Sequence, residues 1–378
     1  LGLYLHIPFC TAICNYCNFN RGLLDQSLKR RYVDALIGEI HGAAEPSTAI
    51  DTIYFGGGTP SLLSAAEVGR IVDACRDAFA LIADSEITLE ANPETVTRPL
   101  LEGYRAAGIN RLSFGVQSFR DEELRRLGRL HTADTATNAI GLARLAGFDN
   151  VSLDLMMWLP EQRLEDWLVS VESLIEVRPE HASLYLLELY PNAPLREDMA
   201  RAGWSLAPDE DAADMYFEAL GRLDAAGYQH YEISNVAQPS REARHNVKYW
   251  TDGEWLGFGC GAHSTRAGVR WRNVPATMEY IRRVDAGSSV VVERRVLDAG
   301  EHVEEALFTG LRLTAGLDLA AVDARYGVDV WRRYGSELSR FVDLGLLIHE
   351  PNRRLALSRA GMLLANEVMA VFIGPTVR

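Results

Sequence analysis

The sequence of 378 residues has no uninterrupted apolar run near the roughly 20 residues that a membrane-spanning helix needs. The richest late stretch, Gly361 to Gly374, is broken by Asn366 and Glu367, so a soluble protein without a transmembrane segment is expected. Positive charge is in deficit: 38 Lys and Arg stand against 52 Asp and Glu, a net charge of -14. That balance repels phosphate backbones, so no nucleic-acid partner is expected, although a local basic pocket for an acidic ligand remains compatible with it. Cysteine is scarce and odd in number, five in all, and three of them (Cys10, Cys14, Cys17) crowd into eight residues. Such a distribution speaks against a disulfide framework and for a metal site in a reducing compartment, with the cytoplasm as the expected location. There is no low-complexity tract and no repeat of fixed period. With 48% hydrophobic and 24% charged residues, disordered and fibrous classes are excluded as well. Leu1 is not an initiator methionine and opens a strand-like run, so the reading allows for residues, a targeting peptide included, before it.

Six short runs rich in β-branched and aliphatic residues are present: LGLYLHIP from Leu1, DTIYFGGG from Asp51, SEITLEANP from Ser85, NRLSFGVQS from Asn110, NVSLDLMMWLP from Asn150 and HASLYLLELYP from His181. Between them apolar residues recur at helical spacing, as at Tyr32, Ala35, Leu36 and Ile40, or Val68, Ile71, Val72 and Cys75. Strand and helix alternate, and near-continuous apolar strands joined by helical crossovers predict an α/β fold, a partial (β/α)6 TIM-like barrel. Ligand chemistry in such folds sits at the carboxyl ends of strands, which here carry Gly56 to Thr59, Glu90 with Asn92, Gln117, Asp154 and Glu188. The barrel is expected over residues 1–200 and a barrel-closing segment over 201–290. Residues 291–378 are expected to form a small helical, winged-helix-like domain whose role is packing or covering substrate rather than holding DNA.

HIPFCTAICNYCNF places three thiols four and three residues apart directly after the first strand. Thiolates suit iron or zinc, and three of them around a [4Fe-4S] cubane leave one iron without a protein ligand, which is where a metal does chemistry. Zinc, with His6 or a distant residue as fourth ligand, is the alternative; the barrel context favours the cluster. Cys75 reads as a core residue on a helix face, and Cys260 has no evident thiol partner. Gly56, Gly57 and Gly58 lack dinucleotide and P-loop spacing, so their use is close approach of backbone to a neighbour or ligand. Glu90 and Asp154 offer acceptors, and Gln117 and Arg129 offer donors, near strand ends.

The cysteine spacing, the HIPFC context and the GGGTPS run resemble the radical S-adenosylmethionine (radical SAM) superfamily. Within it, the chain is similar to the branch that contains oxygen-independent coproporphyrinogen III dehydrogenases and haem chaperones, and the likeness runs over nearly the whole chain. The resemblance implies a [4Fe-4S] cluster on Cys10, Cys14 and Cys17 whose open iron is chelated by S-adenosylmethionine. It implies contacts to S-adenosylmethionine from Tyr4, Tyr16, Gly57, Gly58, Thr59, Glu90, Gln117, Arg129 and Asp154. Glu188 and His263 align with further contacts made in that family mainly through backbone.

Two sequence features favour the chaperone side of the branch. The dehydrogenases carry a further cysteine two residues after the third, where this chain has Phe19; and HNVKYW, His245 to Trp250, resembles the HNxxYW signature of the haem chaperones. That likeness implies haem contacts from His245, Asn246, Tyr249 and Trp250, with Lys248 available to a propionate. Delivery of haem to membrane-associated haemoproteins, from the cytoplasm or peripherally at the membrane, is what it implies for partners; coproporphyrinogen dehydrogenase activity is not expected of such a chaperone. The competing expectation is that dehydrogenase, which converts propionate side chains of coproporphyrinogen III to vinyl groups; a blander one is another radical SAM enzyme such as a methyltransferase. After Asp154 the family usually reads close to LIYGLPGQ, whereas this chain has LMMWLPEQ, so Trp158 is expected to narrow the cavity or to add a stacking face.

Overall fold

The computed structural model describes residues 1–373, and its first half alternates strand and helix as the periodicity predicts. Six strands lie parallel in sequence order: β1 (Gly2–Ile7), β2 (Glu45–Gly57), β3 (Phe79–Ala91), β4 (Arg111–Gln117), β5 (Val151–Met157) and β6 (His181–Leu186). Their crossovers are α1 (Gln26–Gly42), α2 (Ala65–Ala78), α3 (Arg98–Ala107), α4 (Asp121–Arg126), α5 (Ala133–Leu145) and α6 (Leu164–Val177). Local chemistry sets the helix ends: Ser64 and Glu67 form a capping box at the start of α2, and Thr97 caps α3, which stops at Gly108 in the left-handed conformation. β2 begins at Glu45, six residues before the run that starts at Asp51, because an outlying stretch pairs Glu45 with Phe79 and Ile50 with Leu81.

After α7 (Pro194–Ala202) and α8 (Asp209–Ala225), the chain was expected to close the barrel's open side; its strands instead widen the sheet at both edges. β7 (Gln229–Glu232) and β8 (Asn235–Ala237) continue antiparallel beyond β6. At the other edge β9 (Trp255–Phe258) is a seventh parallel strand beside β1, followed by antiparallel β10 (His263–Arg266), β11 (Val269–Asn273) and β12 (Val291–Val296). The order across the sheet is β12-β11-β10-β9-β1-β2-β3-β4-β5-β6-β8-β7. The element that covers the amino-terminal strand ends is a short helix, α9 (Arg244–Trp250).

The expectation of near-continuous apolar strands holds for one face only. Residues pointing to the helices, such as Leu3, Leu5, Ile53, Phe55, Leu89, Leu112, Phe114, Leu153 and Leu155, are fully buried in the main core. Their alternates face inward and are largely polar: Tyr4 lies beside Tyr54, Glu90 beside Ser113, and Asp154 beside Gly115 and Ser183. The period of two therefore separates a structural face from a lumen.

The carboxyl-terminal part follows α10 (Thr277–Asp285). It comprises α11 (Ala299–Gly310), β13 (Leu317–Asp318), α12 (Leu319–Tyr326), α13 (Val330–Asp343), β14 (Leu347–Glu350) and β15 (Arg354–Leu357). The three strands pair in the order β13-β15-β14. This helix–strand–helix–helix–hairpin succession is a winged-helix arrangement. The last five positions of the expected helical segment, 374–378, lie outside the described residues.

Candidate functional site

The three-cysteine segment leaves β1 and is fastened at both ends. Gly22 N–H donates to the Pro8 carbonyl (2.7 Å) and Leu24 N–H to that of Cys10 (2.9 Å), while Asn15 reaches the Arg126 carbonyl (2.7 Å) and Asp198 (3.0 Å). Cys10 is buried and accepts from the Thr59 hydroxyl (3.6 Å); Arg129 Nη1 lies 3.5 Å from Cys14 Sγ. Burial pushes the Cys10 and Cys17 thiols up, and the Arg21 guanidinium opposes this at both. Among the described residues no three His, Cys, Asp or Glu side chains converge on one point as a single ion requires. A cubane needs one thiolate on each of three irons, and three thiols along a pinned loop with two guanidinium groups nearby fit that demand.

The glycine run explains how the loop is held. Gly58 N–H donates to the Ile7 carbonyl (2.8 Å) and Thr59 N–H to that of Phe9 (2.7 Å), so the end of β2 clasps the start of the cysteine loop. A Cβ on Gly58 would lie 2.8 Å from the Phe9 oxygen, and one on Gly57, whose φ is 117°, 2.6 Å from the His6 ring. The close approach expected of these glycines is thus made to the loop itself and to His6, and the Gly57 N–H already donates to Glu90 (3.1 Å).

Polar groups gather at the carboxyl strand ends. Glu90 accepts from Tyr54 (2.7 Å) and Gly57; burial, with Asp154 adding, raises it to about 7. Asp154, 3.5 Å from Ser113, is raised by burial to about 6. Arg129 donates to Asn92 and to the Gly115 carbonyl, both at 2.7 Å, and its Nε has no partner among the described residues. Gln117, in the left-handed region at φ 70°, leaves its buried Oε1 without a partner, and Tyr16 packs near Arg129 and Cys14 with its hydroxyl pushed up by burial. A cavity of about 480 Å³ opens beside them and is lined by Tyr4, His6, Gly57, Glu90, Tyr249 and His263 among others. Its size is that of a small-molecule pocket. The structure therefore brings Tyr4, Gly57, Glu90 and His263 to one cavity, and Gln117, Arg129 and Tyr16 to the adjoining wall. Glu188 it does not bring there: the residue lies beyond the end of β6, exposed, accepting from Tyr190 (2.5 Å). His263, whose expected contact is mainly through backbone, has its carbonyl accepting from the Trp255 indole N–H (2.9 Å).

HNVKYW forms α9. His245 is fully buried, with Nδ1 2.8 Å from Thr52 Oγ1 and Nε2 2.9 Å from Tyr249 Oη; burial lowers it to about 3. The expected open imidazole is thus an internal one with both nitrogens engaged, and Lys248, instead of awaiting a propionate, pairs with Asp51 (2.6 Å). Trp250 lies under the Arg312 guanidinium (4.2 Å), Asn246 is half-buried, and only Tyr249 of the motif reaches the cavity.

Trp158 corrects another expectation. Its indole donates to the Ala207 carbonyl (2.8 Å) on the far side of the chain and does not line the Glu90 cavity. Trp158 (φ 62°) and Glu161 (φ 59°) both take the left-handed conformation at the two positions where the family pattern has glycine. Tyr54 and Asn20 are absent from the sequence-based site, and His6 enters it only as the alternative zinc ligand: Tyr4 Oη lies 3.1 Å from His6 Nδ1, and His6 Nε2 lies 2.8 Å from the Asn20 carbonyl. The signal for Tyr54 and His6 was available, since each sits two residues from a chosen or glycine position on the inward face of its strand.

Comparison with known proteins accords with this geometry. Residues 4–174 match the Radical SAM superfamily and residues 297–364 the HemN C-terminal domain. The Bacillus subtilis (strain 168) protein named heme chaperone HemW is 35% identical over 376 residues, 98% of each chain. The Mycobacterium tuberculosis (strain H37Rv) heme chaperone HemW is 36% identical over 380 residues, covering 99% of this chain and 95% of its own. Among solved structures, coproporphyrinogen III oxidase (HemN) from Escherichia coli, described as a radical SAM enzyme, superposes with a TM-score of 0.87 at 25% identity, over 98% of this chain and 89% of that one. With two relatives above 30% identity from end to end, the chain belongs to the HemW family within the radical SAM superfamily.

Proposed function

We propose that the protein is a haem chaperone that holds a [4Fe-4S] cluster on Cys10, Cys14 and Cys17, binds S-adenosylmethionine beside it, and carries haem to haemoproteins. The observation that carries this reading is the end-to-end relationship to proteins named heme chaperone HemW, 98% of both chains in the B. subtilis case. When bound, such a cluster supplies one iron free to chelate the amino and carboxylate groups of S-adenosylmethionine. The chain's own residues would do the rest. Arg129 sets positive charge against Cys14 and keeps Asn92 and the Gly115 carbonyl in place. Gln117 offers an unspent buried oxygen, Tyr4 and Glu90 line the cavity, and Thr59 steadies Cys10. Asp154 and Tyr16 complete the polar wall.

In this reading residues 1–200 carry cluster and cofactor, 201–290 widen the sheet at both edges and supply α9, and 291–378 form the winged unit; the recipients are membrane-associated haemoproteins met from the cytoplasm or at the membrane surface. Among the described residues no helix is long and apolar enough to cross a membrane, so such a meeting would be peripheral. An anaerobic haem titration of cluster-reconstituted protein, followed by transfer to an apo-haemoprotein, tests the proposal. Saturable stoichiometric binding and transfer are expected; absence of a specific Soret change overturns it.

The TM-score of 0.87 with coproporphyrinogen III oxidase favours a second reading, oxidative decarboxylation of coproporphyrinogen III. Protoporphyrinogen formation in an anaerobic assay with reductant and S-adenosylmethionine would move it ahead; the chaperone reading predicts none.

A further inference from the structure

Nine histidines occur in the chain, and three of the four around the lumen are spent. His6 bridges Tyr4 and Asn20, and His245 bridges Thr52 and Tyr249, so neither has a lone pair to give without dismantling the barrel. His181, facing inward at the start of β6, bridges Ser152 and Tyr231; away from the lumen His131 faces Val116 and Glu94, and His302 is bound to Asp252. His263 differs. Its backbone is committed to Trp255 while its side chain is exposed at the cavity, with neither ring nitrogen hydrogen-bonded among the described residues.

The surroundings of His263 suit a flat, dianionic metal macrocycle. Trp255 stands beside it, fixed by the indole bond to the His263 carbonyl and by an edge-on contact with Tyr249 at 4.6 Å between centroids. Phe19, which lines the same cavity, is 64% exposed, a large apolar ring open to solvent. Across the β10–β11 ladder the residue directly opposite His263 is Arg272, and opposite Arg272 is Glu293, so a guanidinium already holding one carboxylate stands next to the imidazole on the same face. The buried Nε of Arg272 has no partner among the described residues.

Resting on the haem-chaperone reading, we propose that His263, rather than His245, is the imidazole that ligates haem iron. The porphyrin packs on the apolar surface of Trp255 and Phe19 at the cavity mouth, with a propionate on Arg272. Partial burial, with Arg272 adding, holds His263 below the usual imidazole value, which keeps it in the neutral form that can donate to iron. The inner end of the cavity, at Glu90 and Gly57, stays available to a second ligand.

The test is a ferric haem titration of the full-length, cluster-reconstituted chain and of His263→Ala, His245→Ala and Arg272→Gln, reading the Soret maximum, the axial ligation by electron paramagnetic resonance, and the affinity. Cluster absorbance and circular dichroism serve as fold controls. His263→Ala is expected to shift the Soret band, lose the histidine signature and bind at least tenfold more weakly, with the signature restored by added imidazole. Arg272→Gln is expected to weaken binding without moving the band. A His263→Ala spectrum superimposable on wild type, with the change found in His245→Ala instead, overturns the assignment while leaving the chaperone reading intact. No Soret change in the wild type overturns both.

Discussion

Glu90 and Asp154 are carboxyl groups in the wall of a lumen, raised by burial to about 7 and about 6, and they make the cofactor-free protein sensitive to pH in one direction. A carboxyl whose folded value lies above its unfolded one, about 4 for these side chains, is best tolerated protonated. Its favourable contribution is full below about pH 4 and is lost as the pH rises to the folded values. His245 acts in the opposite sense. Held neutral to about pH 3 inside the protein, it contributes stability above the ordinary imidazole value and loses it as pH falls from there. Replacing Glu90 with Gln keeps an acceptor for the Gly57 N–H and removes the buried charge. Glu90→Gln should therefore gain about 1–3 kcal/mol over wild type on going from pH 5 to pH 8 in the cofactor-free chain. Urea unfolding at the two pH values checks this, and an equal difference at both would show that Glu90 is already solvated or paired.

At the scale of elements, α9 shows what holds a seven-residue helix that could not persist alone. Its N-cap position is Ala243, which has no side chain to offer, and the task passes to Glu86 at the inward base of β3: the carboxylate accepts from Arg244 N–H (3.0 Å) and His245 N–H (3.1 Å). Lys248 on Asp51 and His245 on Thr52 fasten the same helix to the base of β2. Glu86→Ala leaves two donors and a helix end without an acceptor, so the chain should lose about 2–4 kcal/mol, and α9 amides should exchange at least tenfold faster. Hydrogen exchange resolved to residues 244–250 measures it; unchanged protection there would mean that packing alone fixes the helix. The same helix marks where sequence reading stops. The crossover helices, six strands and cysteine loop are legible because each is written in neighbouring residues, as caps, periods or spacings. The partners of α9 lie 159 and 193 residues away, and nothing local in HNVKYW distinguishes an imidazole facing a ligand from one facing Thr52. The polar lumen likewise appears only when register sets Glu90 beside Ser113 and Asp154 beside Ser183. The left-handed turns at Trp158 and Glu161 are hidden because the residues there do not favour that conformation.

Over the whole molecule, the turn after α9 is one of several places where the winged unit is joined to the barrel; others are Arg270 on Glu305 and Arg359 on Asp224, both at 2.5 Å, and the Ile233 N–H on the Arg312 carbonyl (3.1 Å). Asp252 accepts from His302 Nε2 (2.8 Å), Arg325 (2.6 Å) and the Tyr326 hydroxyl (2.6 Å), which come from α11 and α12. Close by, Arg312 covers the Trp250 ring and bonds the buried Glu232 at the far edge of the sheet (3.1 Å). One side chain therefore gathers three donors from a unit whose core residues Leu338, Phe341, Leu347 and Leu355 belong to the same continuous core as the barrel. Asp252 has φ 50°, so Ala there would add backbone strain unrelated to the contact, whereas Asn accepts that conformation and removes only the charge and one acceptor oxygen. Asp252→Asn should leave the fold intact and loosen this joint, at a cost of about 1–3 kcal/mol for the lost charged hydrogen bonds. Because the core is continuous, calorimetry is expected to show a single transition shifted to lower temperature, and limited proteolysis to cut faster around α11 and α12. A split into two transitions would show instead that Asp252 is the joint that makes barrel and winged unit unfold as one, the shared core notwithstanding.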